Sequence, residues 1–350
     1  MRIMWFILLI GLWGGVACSA APQPAPTAVP LSILMPTETP TAALVAFSAG
    51  VPTPTAAPGV TGAPTPTIPP TFTSSPPPAL TAVDTATATP TPTLTPTPCP
   101  PGQIQAGLFP SQFTGESSYR VYLPPCYGLD GRAYPTIYLF GGNSQDDSAW
   151  DNYGLDEAAE AAIQQGLIPP LLLVMVDGGW IANSTSGGPN SYEAHILNYL
   201  IPYIEQNYCV WAEPAGRAIG GLSRGGYWSL EIAFRHPEMF VSVGGHSAAL
   251  IDSYAGPDIN PQHTALSNDL GNLRIYLDIG DRDYLRPNTE QLHLDMTAQG
   301  IPHTWVLNEG AHEDSYWPLH LTDYLLWYAE PWPRDRMEYP TAVCPQNDIE

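Results

Sequence analysis

The sequence predicts an α/β protein: one globular domain on a doubly wound, mostly parallel sheet, preceded by a disordered N-terminal stalk. From Cys99 onward, short apolar runs alternate with stretches of helical spacing, a pattern typical of α/β folds. Several runs are apolar on consecutive residues, as expected of strands buried on both faces of a parallel sheet. Residues 99–350 are numerous enough to form a single domain with a substantial core.

Seven apolar runs are predicted as strands and five segments as helices. The strands are Tyr119–Leu123, Thr136–Phe140, Leu171–Val176, Arg217–Leu222, Phe240–Val243, Leu273–Ile279 and His303–Leu307. The helices are Leu155–Gln165, Tyr192–Tyr208, Gly225–Arg235, Asn288–Gln299 and Trp317–Tyr328. Two helix ends carry their own signals. Pro237 disfavours helical backbone at the residue before it, and Gly300 is a typical residue after a helix C-terminus.

Residues 1–18 are predicted to be an export signal. Arg2 gives a short positive region, Ile3–Trp13 forms an apolar core, and small residues follow. The apolar core is too short for a comfortable membrane span. The run GVAC resembles a bacterial lipobox, although Gly15 stands where that motif usually has Leu. The sequence therefore predicts an exported, cell-surface lipoprotein with lipid on Cys18; the alternative is cleavage nearby and free secretion.

Residues 19–98 are predicted to be a disordered linker. This segment is dominated by Pro, Thr, Ala and Ser, and proline removes backbone donors that helices and sheets need. Few large apolar side chains are present to offset the entropy of ordering, which favours extended polyproline II conformations. Such a spacer holds the domain from residue 99 onward away from the cell envelope.

The chain is strongly acidic, with 11 Lys and Arg against 33 Asp and Glu and a formal net charge of −22. Binding to nucleic-acid phosphates or to anionic lipid needs basic patches, so the charge argues against both kinds of partner. Contact with a membrane is expected only through the lipid anchor. No Cys-x-x-Cys pair or Cys/His cluster indicates a metal site, and no cofactor is expected.

Four cysteines remain if Cys18 carries lipid, and an even number in an exported chain suggests disulfides. Four cysteines allow three pairings. We favour Cys99–Cys126, which flank a predicted N-terminal β-hairpin, and Cys209–Cys344, which would tie down the C-terminal tail.

The strongest functional signal is a Gly-x-Ser-x-Gly sequence, formed by Gly221, Ser223 and Gly225. It lies between a predicted strand and a predicted helix, the context that a nucleophile elbow requires. Such a turn lifts the serine hydroxyl above the sheet at the N-terminus of a helix, where amides favour negative charge. The predicted oxyanion donors are the amides of Arg224, after the serine, and of Gly142, after an early strand.

A serine nucleophile needs a base, which follows the serine and the acid in the chain order of this kind of site. His312 lies in the loop between the last predicted strand and helix, and such loops face the ligand crevice. His246 is the main alternative, because it follows the end of a predicted strand. The other histidines after Ser223 lie at less suitable positions: His236, His263, His293, His303 and His320.

The acid that orients the base is expected after the strand Leu273–Ile279. Asp278 lies inside this strand, whereas Asp281 and Asp283 both follow its end. Spacing alone leaves these two open.

Several segments match a known family in order: YLFGG with a downstream Trp150, LIPYIEQNY, RAIGGLSRGG, GDRD and GAHEDSYW. Residues 117–329 thereby resemble the putative esterase family of the α/β-hydrolase superfamily, which includes feruloyl esterases, esterase D, enterochelin esterases and antigen 85 mycolyltransferases. The resemblance implies an α/β-hydrolase fold with Ser223 as nucleophile, His312 as base and Asp283 as acid. Phe140 departs from the family, which often has His before the oxyanion glycine.

The expected function is hydrolysis of a carboxylic ester through an acyl-enzyme, on a small-molecule or polysaccharide-linked substrate such as a feruloyl ester. Trp150, Trp180 and Trp317 fall near predicted loops and are candidates for lining the substrate site, although aromatic residues often only pack. One alternative is acyl transfer of the mycolyltransferase type. Another is a non-catalytic surface binding module, against which the intact set of serine, aspartate and histidine argues.

Overall fold

A computed structural model of the chain describes residues 99–345. The predicted export signal, the lipidation candidate Cys18 and the linker lie outside the described residues. Their boundaries therefore remain predictions.

The domain is built on one eight-stranded sheet with the order β1-β2-β4-β3-β5-β6-β7-β8. The strands are β1 Gln103–Ser111, β2 Gly115–Leu123, β3 Thr136–Phe140, β4 Leu172–Val176, β5 Arg217–Leu222, β6 Ser242–His246, β7 Arg274–Gly280 and β8 Thr304–Asn308. β1 and β2 form an antiparallel hairpin, β2 pairs antiparallel with β4, and the other pairs are parallel. The predicted doubly wound, mostly parallel sheet is confirmed.

Nine α-helices lie within residues 99–345. They are α1 Ala149–Asn152, α2 Leu155–Gln164, α3 Gly179–Ser184, α4 Tyr192–His195, α5 Ile201–Asn207, α6 Arg224–Arg235, α7 Pro261–Ser267, α8 Arg286–Ala298 and α9 Leu321–Ala329. A π-helical turn, Ile196–Leu200, joins α4 to α5, so the predicted single helix over this region is interrupted. Pro202 explains the interruption, because its ring lacks a backbone donor and crowds the preceding turn.

The core has two layers, one on each face of the sheet. Along β4, Leu172 and Val174 pack into one hydrophobic cluster with α4 and α6, whereas Leu173 and Met175 pack into the other with α2 and α9. All five residues of β4 are buried. This two-sided burial is the physical reason for the continuous apolar runs in the sequence.

Two predicted strands differ most from the observed ones. β2 begins at Gly115, before the predicted Tyr119, and β6 was expected to end at Val243. The strand instead runs through Gly244 and Gly245 to His246. A Cβ atom on Gly244 would lie 2.8 Å from Cζ of Tyr328, so this glycine makes room for a helix side chain rather than a turn. The short helices α1, α3 and α7 were not predicted.

Both favoured disulfides are present. Cys99 bonds to Cys126 and Cys209 bonds to Cys344, with Cα–Cα distances of 4.9 Å and 4.6 Å. The first pair closes the β1–β2 hairpin region, and the second ties the C-terminal tail to the segment after α5. Disulfides of this kind fit an extracellular protein. Among residues 99–345, we find no helix with the length and apolar character needed to cross a bilayer.

Candidate active site

Ser223 stands in a strained turn between β5 and α6. Its backbone has φ 53° and ψ −116°, a conformation that L-residues rarely adopt. The turn is possible because the flanking glycines let chains approach: a Cβ on Gly221 would lie 2.4 Å from the carbonyl carbon of Gly225. A Cβ on Gly225 would lie 2.3 Å from the carbonyl oxygen of Phe140. The sequence thus forces the serine to the carboxyl end of the sheet, at a helix N-terminus.

A continuous hydrogen-bonded chain connects Ser223 to a histidine and a carboxylate. His312 Nε2 lies 2.8 Å from Ser223 Oγ, and His312 Nδ1 lies 2.8 Å from Asp283 Oδ2. The second carboxylate oxygen of Asp283 accepts the amide of Leu285 at 2.8 Å. Both Ser223 and Asp283 are buried, at 9 % and 4 % exposure, so the three groups interact with little screening by water.

Aromatic rings hold the imidazole of His312 from two sides. The ring of Trp317 contacts it edge to face with a centroid distance of 5.2 Å, and that of Tyr284 does so at 4.9 Å. Trp317 is buried, whereas Tyr284 is 72 % exposed and so presents one face to solvent beside the imidazole.

The structure brings Asp283, and not Asp281, against the imidazole. Asp281 instead accepts the amide of Gly310 at 2.9 Å and lies 3.3 Å from the guanidinium of Arg282. The hydrogen bond from Gly310 lowers the pKa of Asp281 from its ordinary value. Asp281 therefore fastens the start of the loop that carries His312.

A cavity of about 400 Å³ opens beside Ser223 and Arg224. Its wall is rich in hydroxyl and amide side chains and also carries two tyrosines and three aliphatic residues. Besides the two residues at its base, the lining is Asn143, Asn183, Ser184, Thr185, Ser186, Ala249, Ile251, Ser253, Tyr254, Tyr284 and Leu285.

Comparison with known proteins decides the family. Residues 111–328 match the family described as putative esterase. The chain belongs to this esterase family. Esterase Rv1288 of Mycobacterium tuberculosis is 37% identical over 134 residues, which are 36% of this chain and 28% of that protein. An endo-1,4-beta-xylanase/feruloyl esterase of Xylanibacter ruminicola is 34% identical over 152 residues, 40% of this chain and 20% of that protein.

This esterase-family chain spans less than a third of each of these two relatives. A solved ferulic acid esterase superposes with a TM-score of 0.61 at 21% identity, covering 66% of this chain and 100% of that structure. At this level of identity, the likeness shows a shared α/β-hydrolase fold.

His246, the alternative to His312 as base, lies beneath the site rather than in it. It is 1 % exposed, and its Nδ1 is 2.7 Å from the carboxylate of Asp278. Its contact with the nucleophile is through the backbone only, since its carbonyl accepts the amide of Ser223 at 2.9 Å. Asp278, which the sequence places inside β7, is fully buried.

The two predicted oxyanion donors differ in whether their amides already have an acceptor. Arg224 is the first residue of α6, where an amide has no acceptor within the helix. The Gly142 amide, in contrast, donates to Gln145 Oε1 at 2.6 Å. Gly142 is close to the nucleophile, since a Cβ on it would lie 3.4 Å from Cβ of Ser223. Its amide becomes available to a ligand only when the Gln145 side chain moves.

The side chain of Arg224 builds one wall of the cavity. Its guanidinium donates to the carbonyls of Ala182 and Thr185, so it fastens the end of α3 and the loop that follows. Trp228 Nε1 donates to the same Ala182 carbonyl at 3.0 Å, and the Tyr227 hydroxyl donates to the Ser186 carbonyl at 2.6 Å. The first turns of α6 therefore present the nucleophile and also position the polar loop that faces it.

The three tryptophans proposed to line the substrate site lie in different places, and none lines the cavity. Trp150 is 1 % exposed and donates its indole N–H to the Phe140 carbonyl at 3.0 Å, so its predicted substrate role is wrong. Trp317 is buried against His312. Trp180 is 57 % exposed on α3, three residues before Asn183 of the cavity wall.

Sequence reasoning missed most of the cavity wall. Tyr284 follows Asp283 directly in the sequence, and this position could have predicted that Tyr284 lies near the site. The polar run Asn183–Ser186 follows β4, whose carboxyl end faces the crevice. Tyr254 gave no signal, because it belongs to a single 3₁₀ turn, Asp252–Tyr254, too short to produce a periodic pattern. Among residues 99–345, we find no group of three or more His, Cys, Asp or Glu side chains arranged to hold a metal ion.

Proposed function

We propose that the protein is a serine carboxylic-ester hydrolase that acts through Ser223, His312 and Asp283. The observation that carries the proposal is the uninterrupted hydrogen-bonded chain, 2.8 Å at each step, from a hydroxyl in a strained elbow to a buried carboxylate. A serine hydroxyl becomes a nucleophile when an oriented base can take its proton, and this arrangement supplies both the base and its orientation.

In the acylation half, His312 Nε2 takes the proton of Ser223 as Oγ bonds to the carbonyl carbon of the ester. The carbonyl oxygen becomes an oxyanion, for which the Arg224 amide is a donor, joined by Gly142 once Gln145 has moved aside. His312 then gives the proton to the alcohol oxygen as the carbon–oxygen bond breaks. The alcohol leaves, and the acyl group stays on Ser223.

In the deacylation half, water takes the place of the alcohol. His312 removes a proton from the water as its oxygen bonds to the acyl carbon. The proton returns to Ser223 Oγ as the carboxylic acid leaves. Asp283 keeps the Nδ1–H of His312 engaged throughout and stabilises the imidazolium that forms in each half.

The cavity beside Ser223 is the proposed site for the acyl group. The leaving alcohol must lie next to His312 Nε2 to receive its proton, whereas the cavity is lined by Ser223 and Arg224 but not by His312. Hydroxyl groups such as those of Ser184 and Ser186 suit an acyl group with polar substituents, and the tyrosine rings suit an aromatic one.

We therefore propose a feruloyl-type acyl group on a small-molecule or polysaccharide alcohol. This choice draws support from the relative in Xylanibacter ruminicola, whose name includes feruloyl esterase. The net charge of −22 argues against nucleic acid as a partner.

The first test is labelling of residues 99–350 with a fluorophosphonate probe, beside Ser223→Ala as the matched control. Labelling of the wild type alone supports an activated serine at this position. A folded wild type that takes no label contradicts the proposed function. Turnover of methyl ferulate, p-nitrophenyl acetate and p-nitrophenyl palmitate then tests the acyl group; preference for palmitate would contradict the polar aromatic cavity.

We also propose that the protein is exported and anchored at the cell surface through Cys18. The two disulfides support export, and the GVAC run supports lipid attachment. Metabolic labelling with a fatty-acid analogue should mark the full chain and fail on Cys18→Ser. Label on the variant, or none on either chain, would contradict the anchor.

A further inference from the structure

A second polar cluster lies buried behind the proposed catalytic residues, and the ester hydrolysis described above does not use it. At its centre is the carboxylate of Asp278, in β7, which is 0 % exposed. One carboxylate oxygen lies 2.7 Å from His246 Nδ1. The other accepts the hydroxyls of Tyr316 and Tyr324, each at 2.8 Å.

The surroundings fix the geometry of this cluster. A buried carboxylate is costly unless donors surround it, so loss of any one donor leaves a strained or unsatisfied group. Burial and the neighbouring Asp278 carboxylate raise the pKa of Tyr316 well above its ordinary value, and the same causes raise that of Tyr324. Both phenols therefore stay protonated and remain donors.

Tyr316 connects the buried cluster to the loop that carries His312. Its amide donates to the Glu313 carbonyl at 2.9 Å, and its hydroxyl accepts Asn308 Nδ2 at 3.0 Å. Its ring lies under the loop, because a Cβ on Gly310 would be 2.7 Å from Tyr316 Cδ2. The next residue is Trp317, whose ring packs against His312.

Tyr324 contacts the same carboxylate oxygen but has no part in this loop. It belongs to α9 and packs on His246 with a ring-centroid distance of 3.8 Å. The two tyrosines thus make the same hydrogen bond, at the same distance, from two different elements. This pair allows the structural role of the cluster to be separated from any role in catalysis.

We infer that Asp278 is a positioning residue: through the Tyr316 hydroxyl it holds the His312 loop at the distance that proton transfer from Ser223 requires. The inference rests on the proposed function. Asp278 touches neither substrate nor reacting atoms. Its other oxygen holds His246, which meets Ser223 through a backbone hydrogen bond, whereas the Tyr316 hydroxyl is its contact with the His312 loop. Misplacement of a reacting group by about 1 Å can lower turnover by roughly 100-fold, so one hydrogen bond at the base of the loop can control the rate.

The test compares Tyr316→Phe with Tyr324→Phe. Each variant keeps the ring and removes one hydroxyl from the same carboxylate oxygen, so both should lower Tm to a similar degree. We expect Tyr316→Phe to lower kcat for p-nitrophenyl acetate roughly 10-fold or more with little change in KM. Tyr324→Phe should keep kcat within about threefold of the wild type. Fluorophosphonate labelling rates should follow the same order.

Two results would overturn the inference while leaving the proposed function intact. One is an equal loss of kcat in both variants with an active wild type, since that pattern follows from lost stability alone. The other is full activity in a folded Tyr316→Phe protein. A wild type that neither turns over esters nor takes the probe would instead contradict the proposed function itself.

Discussion

Replacing Asp283 by Asn removes the negative charge of this side chain but keeps its size and shape. In the structure, one carboxylate oxygen of Asp283 accepts the Leu285 amide and the other faces His312 Nδ1, both at 2.8 Å. An asparagine that keeps its oxygen on Leu285 must turn its NH₂ group toward Nδ1. The imidazole then carries its proton on Nε2 and cannot take the proton of Ser223.

The magnitude follows from the lost charge. An imidazolium and a carboxylate about 4 Å apart attract by about 4 kcal/mol at an effective dielectric constant of 20, which corresponds to roughly a thousand-fold in rate. The side chain of Asp283 is 0 % exposed, so water does not replace the lost interaction. The assay is kcat/KM for p-nitrophenyl acetate, with circular dichroism to establish that the variant is folded.

Asp281→Asn is the matched control. The variant keeps an oxygen that can accept the Gly310 amide and loses only an ion pair with Arg282, whose side chain is 60 % exposed. Exposed pairs contribute little, so kcat/KM should fall by less than about threefold. Equal losses in the two variants, or more than about a tenth of wild-type activity in folded Asp283→Asn, would refute this assignment of the acid.

Three further predictions concern other parts of the domain. Gln145→Ala frees the Gly142 amide, so kcat should rise or hold; a fall of roughly 10-fold or more would show that this side chain supports the oxyanion site. The Cys209–Cys344 disulfide closes a loop with a sequence separation of 135 residues. Replacing both cysteines by Ala should lower the free energy of unfolding, measured in urea, by about 5 kcal/mol. An unchanged urea midpoint would contradict this stabilising role of the disulfide. Burial lowers the pKa of His195 from 6.5 to about 4. Between these pH values the histidine is protonated in the unfolded chain but neutral in the folded protein. The free energy of unfolding should therefore fall by up to about 3 kcal/mol as the pH drops from 6.5 to 4. The His195→Gln variant should lose less stability across this pH interval. Identical acid unfolding curves for the variant and the wild type would exclude His195 as the source of the pH dependence.

Local signals were enough to predict the sheet, the serine nucleophile and the histidine beside it. β5 has the predicted bounds, because its apolar run ends at a glycine-rich sequence that is typical of the turn after such a strand. The same turn fixes Ser223 at the carboxyl end of the sheet. His312 and Asp283 follow the ends of neighbouring parallel strands, and such ends meet at one edge. Ser223, His312 and the presence of an acid after β7 were therefore predictable without knowledge of distant contacts, although the choice between Asp281 and Asp283 was not.

Where distant contacts decide the structure, the sequence was ambiguous or misleading. Gly244 and Gly245 look like a turn, yet they belong to β6 because Tyr328, more than 80 positions later, fills the space beside Gly244. Asp281 and Asp283 both follow β7, and only the approach of Gly310 from the next loop assigns them different partners. Trp150 follows an early strand, as a substrate-lining residue would, but its indole turns inward to the Phe140 carbonyl.

The cavity wall is the part of the site that was hardest to predict from sequence, because its shape depends on contacts that no local pattern encodes. Asn183–Ser186 has no regular spacing, and it faces Ser223 only because Arg224 binds the carbonyls at 182 and 185. In the sequence, Arg224 is simply the residue inside the nucleophile elbow. The Arg224 amide is the proposed donor to the oxyanion, whereas its guanidinium holds the loop that forms one wall of the cavity. The cavity wall thus depends on contacts between Arg224 and a loop about 40 positions earlier in the chain, so acyl specificity was not readable from the elbow sequence.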